Sequence, residues 1–288
     1  MILIKTKHKI LLARLFQVPI IFFIKLFKKT NKLLVIRNEI KWFLDLEEGI
    51  DFAIFLTGKF EIDTSSYFKS IINKGDIIFD IGANIGAHTL PMAKLVGENG
   101  IVHAFEPTKF AYDKLEKNIS LNPNLNNRII VNQIMLTDKK NKKPVPKLYS
   151  SWPFDSKLQE HKKHCGSMQS TDGCKSKTLD EYVLDNKVSG LKLIKIDVDG
   201  FEIEVLMGAK NILKKNKPIL LIELAPYTFE ERGKSFSKLI NLLFNLGYAL
   251  FDIKNKKKLP NSIDKLMHII PEGGSINVIA KCIYNVKK

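Results

Sequence analysis

The stretch FDIGANIGAHT, residues 79–89, constrains this chain more than any other. It continues an apolar run that begins at Ile77, and leaves that run through an acid, Asp80, and a turn carrying Gly82 and Gly86. A strand that ends in a glycine-rich turn and then a helix is how α/β proteins present backbone to a ligand. Glycine takes positive φ there, and has no Cβ to hold a ligand off. A helix is expected from about Ala87. A phosphate loop needs Gly-Lys-Ser/Thr at its end, which does not follow here. The dinucleotide fingerprint needs glycines where Asn84 and Ala87 stand, and Asp80 would repel a pyrophosphate. A bare structural turn stays open as an alternative, because such βα turns are common.

The next βα unit sharpens the choice. IVHAFEP, residues 101–107, reads as a short strand ending in Glu106, followed by a helical segment. A carboxylate at the end of the second strand accepts from both ribose hydroxyls. Two acids ending consecutive strands indicate a ligand with a nucleoside at one end and a cationic amino acid at the other. S-adenosylmethionine has both.

The third informative stretch is LKLIKIDVDGFEIEVLMGA, residues 191–209. LKLIKI is a buried strand, with Asp197, Asp199 and Glu202 clustered just beyond its end. In a parallel sheet that position lines the ligand crevice, beside Asp80 and Glu106. Asp199-Gly200 as a turn and Glu202 as a helix N-terminal acid account for two of the three without function. EIEVLMGAKNILKK is expected to be one amphipathic helix closing on Lys214 and Lys215.

Alternating β and α segments predict an α/β fold, a mostly parallel sheet with helices on both faces. LLVIRNEIKWFLDL reads as two strands with a turn at Arg37-Asn38, and IIVNQIM (129–135) as the third core strand. YALFDI and SINVIAKCIY form an antiparallel pair at the sheet edge.

The net charge of +16 sits in two places. Residues 1–41 hold ten Lys/Arg against Glu39, and residues 139–177 hold ten lysines against Asp155, Glu160 and Asp172. The rest of the chain balances. Residues 1–41 are therefore read as a basic, partly apolar extension. Residues 42–288 form the main domain, with a lysine-rich insertion or lid at 139–177. Basic segments suit anionic surfaces or simple solvation. The apolar run Val18–Ile24 is too short to span a bilayer. The N-terminal stretch can lie in a membrane interface, pack on the domain, or serve insertion or export. The insertion also carries His161, His164, Cys165 and Cys174, in a spacing that matches none of the usual zinc patterns. Three cysteines make no disulfide framework, so a cytoplasmic location, peripheral on a membrane if the extension binds one, is expected.

These residues resemble the FkbM family of S-adenosylmethionine-dependent methyltransferases. The family's D-x-G-A-N-x-G-x-x-T appears as Asp80, Gly82, Ala83, Asn84, Gly86 and Thr89. A-F-E-P is Ala104–Pro107, T-L-D is Thr178–Asp180, and K-I-D-V-E-G-x-E is Lys195–Glu202, with Asp199 in place of the usual Glu. T-G-x-x-E is Thr57–Glu61. The resemblance implies a class I, Rossmann-like methyltransferase sheet and methyl transfer to oxygen, often on a sugar or glycosylated product. It places Glu61 in the cofactor site, Asp80 at the methionine end, Gly82 and Gly86 in close backbone contact, and Glu106 on the ribose. Thr137 and Asp138 fall near adenine. A carboxylate among Asp197, Asp199 and Glu202 would take the acceptor's proton. A divalent metal on the same acids is a competing, less favoured mechanism.

Two other functions compete. A nucleic-acid methyltransferase would interleave its basic residues with aromatics, and the insertion offers only Tyr149, Trp152 and Phe154. The other is a cofactor-binding protein without activity, and the intact Asp80, Glu106 and Asp197 argue against such decay. The expected partner is a hydroxyl-bearing small molecule or glycan, and residues 1–41 would meet anionic membrane peripherally.

Overall fold

The computed structural model describes residues 6–28, 30–139, 144–161 and 165–283. The chain starts with helix α1 (Thr6–Lys28) and a hairpin, β1 (Lys32–Arg37) and β2 (Ile40–Asp45). The hairpin turn falls at Asn38-Glu39, one residue later than the sequence suggests, because both residues there take positive φ (52° and 63°). A two-residue turn of that kind matches the twist of its strands. Helices α2 (Gly49–Thr57) and α3 (Ile62–Ile71) lead into β3 (Ile77–Ile81). The α/β rhythm then runs through α4 (Thr89–Val96), β4 (Ile101–Phe105), α5 (Lys109–Ser120), α6 (Pro123–Asn126) and β5 (Ile129–Asn132). Pro91 sits in the first turn of α4, where backbone N–H groups have no helical partner to lose.

The expected strand 129–135 is divided: β6 (Ile134–Leu136) leaves β5 and pairs in parallel with β9 (Lys175–Lys177). Between them the insertion folds into an antiparallel pair, β7 (Leu148–Ser151) and β8 (Ser167–Gln169). It is strapped to the domain. Glu48 accepts hydrogen bonds from Ser151 Oγ (2.9 Å) and Trp152 N (3.0 Å), and Gly49 N donates to Trp152 O (2.9 Å). Phe154 is buried edge-on against Phe52.

Helix α7 (Leu179–Asp185) opens with a capping box between Thr178 and Glu181, and leads to β10 (Leu191–Ile196). The single helix expected after it is two, α8 (Glu202–Met207) and α9 (Lys210–Asn216). The break is at Gly208, where a Cβ would stand 2.1 Å from the Thr137 carbonyl oxygen. Asp180 then accepts from the backbone N–H groups of Asn211 and Ile212 and caps the second helix. Strand β11 (Ile219–Leu224), α10 (Pro226–Glu231), α11 (Phe236–Asn245), β12 (Tyr248–Asp252), α12 (Ile263–Ile269) and β13 (Ile276–Cys282) complete the chain.

The central sheet runs β12-β13-β11-β10-β3-β4-β5. Strands β5, β4, β3, β10 and β11 are mutually parallel, and β13 is antiparallel to both neighbours. The antiparallel C-terminal strand is thus β13, with β12 closing the edge beyond it. Apolar cores cover both faces of the sheet. One gathers Ile78, Val102 and Leu193 with α2–α4. The other gathers Phe79, Ile194, Leu220, Ile222 and Leu224 with α8 and α11.

Helix α1 packs on the domain by one face. Gln17 and Ile21 are buried, Gln17 Nε2 donates to Leu46 O (3.1 Å), and Lys25 reaches Glu47 (3.0 Å). Among the described residues, no helix is long and apolar enough to cross a membrane.

Candidate functional site

The carboxyl ends of β3, β4, β10 and β11 open into one cleft of about 930 Å³. A parallel sheet whose strand order reverses beside β3 leaves a crevice at this end.

Its floor is a buried charge network. Lys195 and Asp80 are register partners on adjacent strands, so their side chains emerge on the same face. Lys195 Nζ lies 3.5 Å from Asp80 Oδ1 and 3.4 Å from Asp197 Oδ2. Burial acts to lower the lysine's pKa, but the charges of Asp197, Asp80 and Glu61 outweigh it and leave it raised. Asp80 is fully buried, and its other oxygen accepts from Thr89 Oγ1 (2.6 Å). Asp80 and Thr89 lie beneath the cleft rather than on its wall, and Lys195 presents their charge network to it. Lys195 opens a motif legible in the sequence but has no role assigned there, and Glu223 and Tyr227 likewise carry none. The signal at Lys195 was a second lysine on the opposite strand face from Lys192, immediately before the acids that follow the strand.

Glu61 lines the cleft, accepting from Asn277 Nδ2 (2.7 Å) and facing His88 Nε2 at 3.3 Å. Burial would raise its pKa, but His88, Lys195 and Asn277 bring it down to about 2. Glu106 stands at the end of β4. It accepts from Asn84 N (2.9 Å), Thr108 N (3.0 Å) and Thr108 Oγ1 (2.6 Å). Burial nevertheless raises its pKa. Those bonds use three of about four acceptor positions, leaving about one for a ligand hydroxyl.

Gly82, Ala83 and Asn84 line the cleft. Gly82 has φ 81°, and a Cβ there would stand 1.8 Å from the Asp197 carbonyl oxygen, so the close approach is to β10's own exit. Asn84 Nδ2 donates to Ser150 O (3.0 Å) and ties the turn to the insertion. Gly86 lies off the cleft, where its missing Cβ makes room for Leu90 and Leu115. Thr137 and Asp138 also lie off it: Thr137 N donates to Lys177 O, and Asp138 is exposed. Because β6 turns away to pair with β9, the wall there is made by Ile134, Met135 and Leu136, with Phe105.

Asp197 and Asp199 line the cleft and Glu202 does not. Glu202 Oε1 accepts from Val198 N and Gly200 N, each at 3.3 Å, and holds the turn in which Asp199 (φ 47°) and Gly200 (φ 90°) are left-handed. Burial pushes Glu202 up to about 7, and burial beside Asp197 and Glu202 raises Asp199 well above the carboxylate range. Glu223, at the end of β11, is raised well above it for the same reasons, burial first and then Asp197 and Asp199. Tyr227 on α10 and His161 of the insertion join this end, where His161 Nε2 meets Glu231 Oε2 at 2.8 Å. Among the described residues, no group of three or more His, Cys, Asp or Glu is arranged to hold a metal ion, and His164 lies outside those residues.

The inner half of the cleft fits S-adenosylmethionine. Phe105, Ile134 and Leu136 offer a flat apolar wall, Glu106 an acceptor for a sugar hydroxyl, and Asp197 and Glu61 negative charge for a cation.

Residues 80–250 match the methyltransferase FkbM domain, which is more than half the chain. A hexuronic acid methyltransferase, AglP, from Haloferax volcanii is 28% identical over 140 residues, 48% of this chain and 52% of that protein. The chain thus spans about half the length of this curated relative. A methyltransferase FkbM from Methylobacillus flagellatus KT superposes with TM-score 0.44 at 15% identity, covering 75% of this chain and 50% of that one. M. jannaschii TYW2 in complex with AdoMet does so with TM-score 0.40 at 15% identity, covering 88% and 86%. The chain belongs to the FkbM family of methyltransferases, and S-adenosylmethionine is its cofactor.

Proposed function

We propose that the protein methylates a hydroxyl oxygen of a sugar or glycan. The observation that carries this reading is the group of carboxylates at the outer end of the cleft: Asp197, Asp199 and Glu223 line it together. Such a group, its proton affinity raised by crowding, offers a base to an acceptor hydroxyl. The similarity to a hexuronic acid methyltransferase supports a sugar as the acceptor class.

When bound, S-adenosylmethionine supplies a methyl group activated by its sulfonium. The chain's own residues do the rest. Lys195 fixes Asp197 by an ion pair, and Glu202 holds the turn that aims Asp199 at the cleft. Asp199 accepts the proton of the acceptor hydroxyl as its oxygen becomes the nucleophile. Its raised pKa brings it nearer to the working pH, where a general base is most effective. Because the base works deprotonated, the rate rises with pH through a value above the ordinary carboxylate range.

The test is transfer of labelled methyl to a panel of neutral hexosides and hexuronides by wild type and Asp199→Asn. The expected outcome is alkali-stable product on neutral sugars. The variant should lose about 10²- to 10⁴-fold in kcat and keep its affinity for S-adenosylhomocysteine. An alkali-labile ester formed only on hexuronides would replace the hydroxyl reading with a carboxylate one.

A further inference from the structure

Helix α1 turns two different faces to its surroundings. Ala13, Gln17, Ile20, Ile21 and Ile24 face the domain at helical spacing. The opposite face carries Leu15, Phe16, Phe22, Phe23, Leu26 and Phe27, each 60 to 82% exposed. A contiguous apolar surface of that kind is unusual on a soluble protein and marks an interaction site.

We infer that this face docks the protein on an anionic lipid surface, with α1 lying flat in the interface. The charge of the segment identifies the occupant. Lys5, Lys7 and Lys9 precede the apolar stretch and Lys28 and Lys29 follow it, within a segment whose net charge is +9. Apolar side chains between basic ends suit a helix in the headgroup region, with cations reaching anionic phosphates. A second copy would bring two +9 segments together, which like-charge repulsion opposes. Gln17 and Lys25 hold the helix to the domain, so the body follows it to the surface. Ala13 of the same helix lines the cleft, so docking sets one wall of the cleft beside the bilayer. This inference does not depend on which acceptor is methylated.

The experiment is co-sedimentation of the full chain with vesicles of phosphatidylglycerol and phosphatidylcholine in equal parts, and with phosphatidylcholine alone. Wild type should bind the anionic vesicles, release at high salt, and bind the neutral ones weakly. Phe22→Glu with Phe23→Glu should reduce anionic binding about tenfold or more, with S-adenosylhomocysteine affinity unchanged as proof of folding. Lys28→Gln with Lys29→Gln, which leaves the apolar face intact, should weaken it less and lower its salt dependence. Equal binding of the Phe variant and wild type would overturn the proposal, as would no binding to anionic vesicles. Concentration-dependent self-association in the ultracentrifuge, abolished by the Phe variant, would overturn it in favour of a second copy.

Discussion

The two ends of the cleft are built on different principles. At the inner end Asp80, Lys195 and Thr89 pair beneath or along the floor, with Lys195 and Asp80 on strands that are register neighbours, and Asp197 joins Lys195 to the outer carboxylates. The outer end is assembled from distant pieces: Glu223 of β11, Tyr227 and Glu231 of α10, and His161 of the insertion. The inner end sets opposite charges against each other. The outer end crowds like charges together, and their affinity for protons rises. Under the proposed function, cofactor binding would depend on the first arrangement and acceptor chemistry on the second.

The strongest way to break the inner end is Lys195→Met. It leaves Asp80 buried without its ammonium, and removing one member of a buried pair costs about 3–5 kcal/mol. Urea unfolding should show that loss, and calorimetry should show S-adenosylhomocysteine binding lost with it. Unchanged stability would mean that the pair is not what neutralises Asp80.

Glu202 sharpens the comparison because it supports the outer end from within. Its pKa of about 7 lies above the ordinary value of 4.5, so the folded state holds that proton more tightly than the unfolded chain. The resulting stabilisation is complete below about pH 4.5 and is lost as pH rises through about 7, by up to about 3 kcal/mol. Glu202→Gln should flatten that decline between about pH 5 and 8 in thermal unfolding. A decline as steep as wild type's would assign it to another group.

Glu106→Ala removes one hydrogen bond from the first turn, at Asn84 N, and two from Thr108, and with them the acceptor proposed for a ribose hydroxyl. Calorimetry should show about 1.5–3 kcal/mol less affinity for S-adenosylhomocysteine. The smallest effect is expected where the insertion meets α10. His161→Ala loses the contact to Glu231 and should raise the acceptor KM by about 0.5–1.5 kcal/mol equivalent, with cofactor affinity unchanged. A change in cofactor affinity instead would erase the division between the two ends.

Much of the inner end was legible in the chain itself. Asp80, Gly82, Glu106 and Asp197 stand at or just beyond strand ends, and a strand end can be read from a short apolar run followed by glycine or acid. Lys195 was in plain view within LKLIKI, but only the register between β10 and β3 shows that it faces Asp80. The resemblance puts Thr137 and Asp138 near adenine, at the end of one strand, but the turn of β6 toward β9 leaves Ile134–Leu136 on the cleft wall instead. Glu202 carries no mark in sequence that separates a residue in the cleft from one that holds its turn.

The sequence by itself determined the parallel sheet, the order of its βα units and the acids at their ends, because those follow from local periodicity and turn chemistry. Tertiary structure alone decided that Lys195 pairs with Asp80, that the insertion is strapped down at Glu48, and that Glu223, Tyr227 and His161 line one cleft. His161 and Glu231 are 70 positions apart, and Ser151 and Glu48 are 103 apart. Over such separations pairing is set by the packing of whole elements and not by any local pattern.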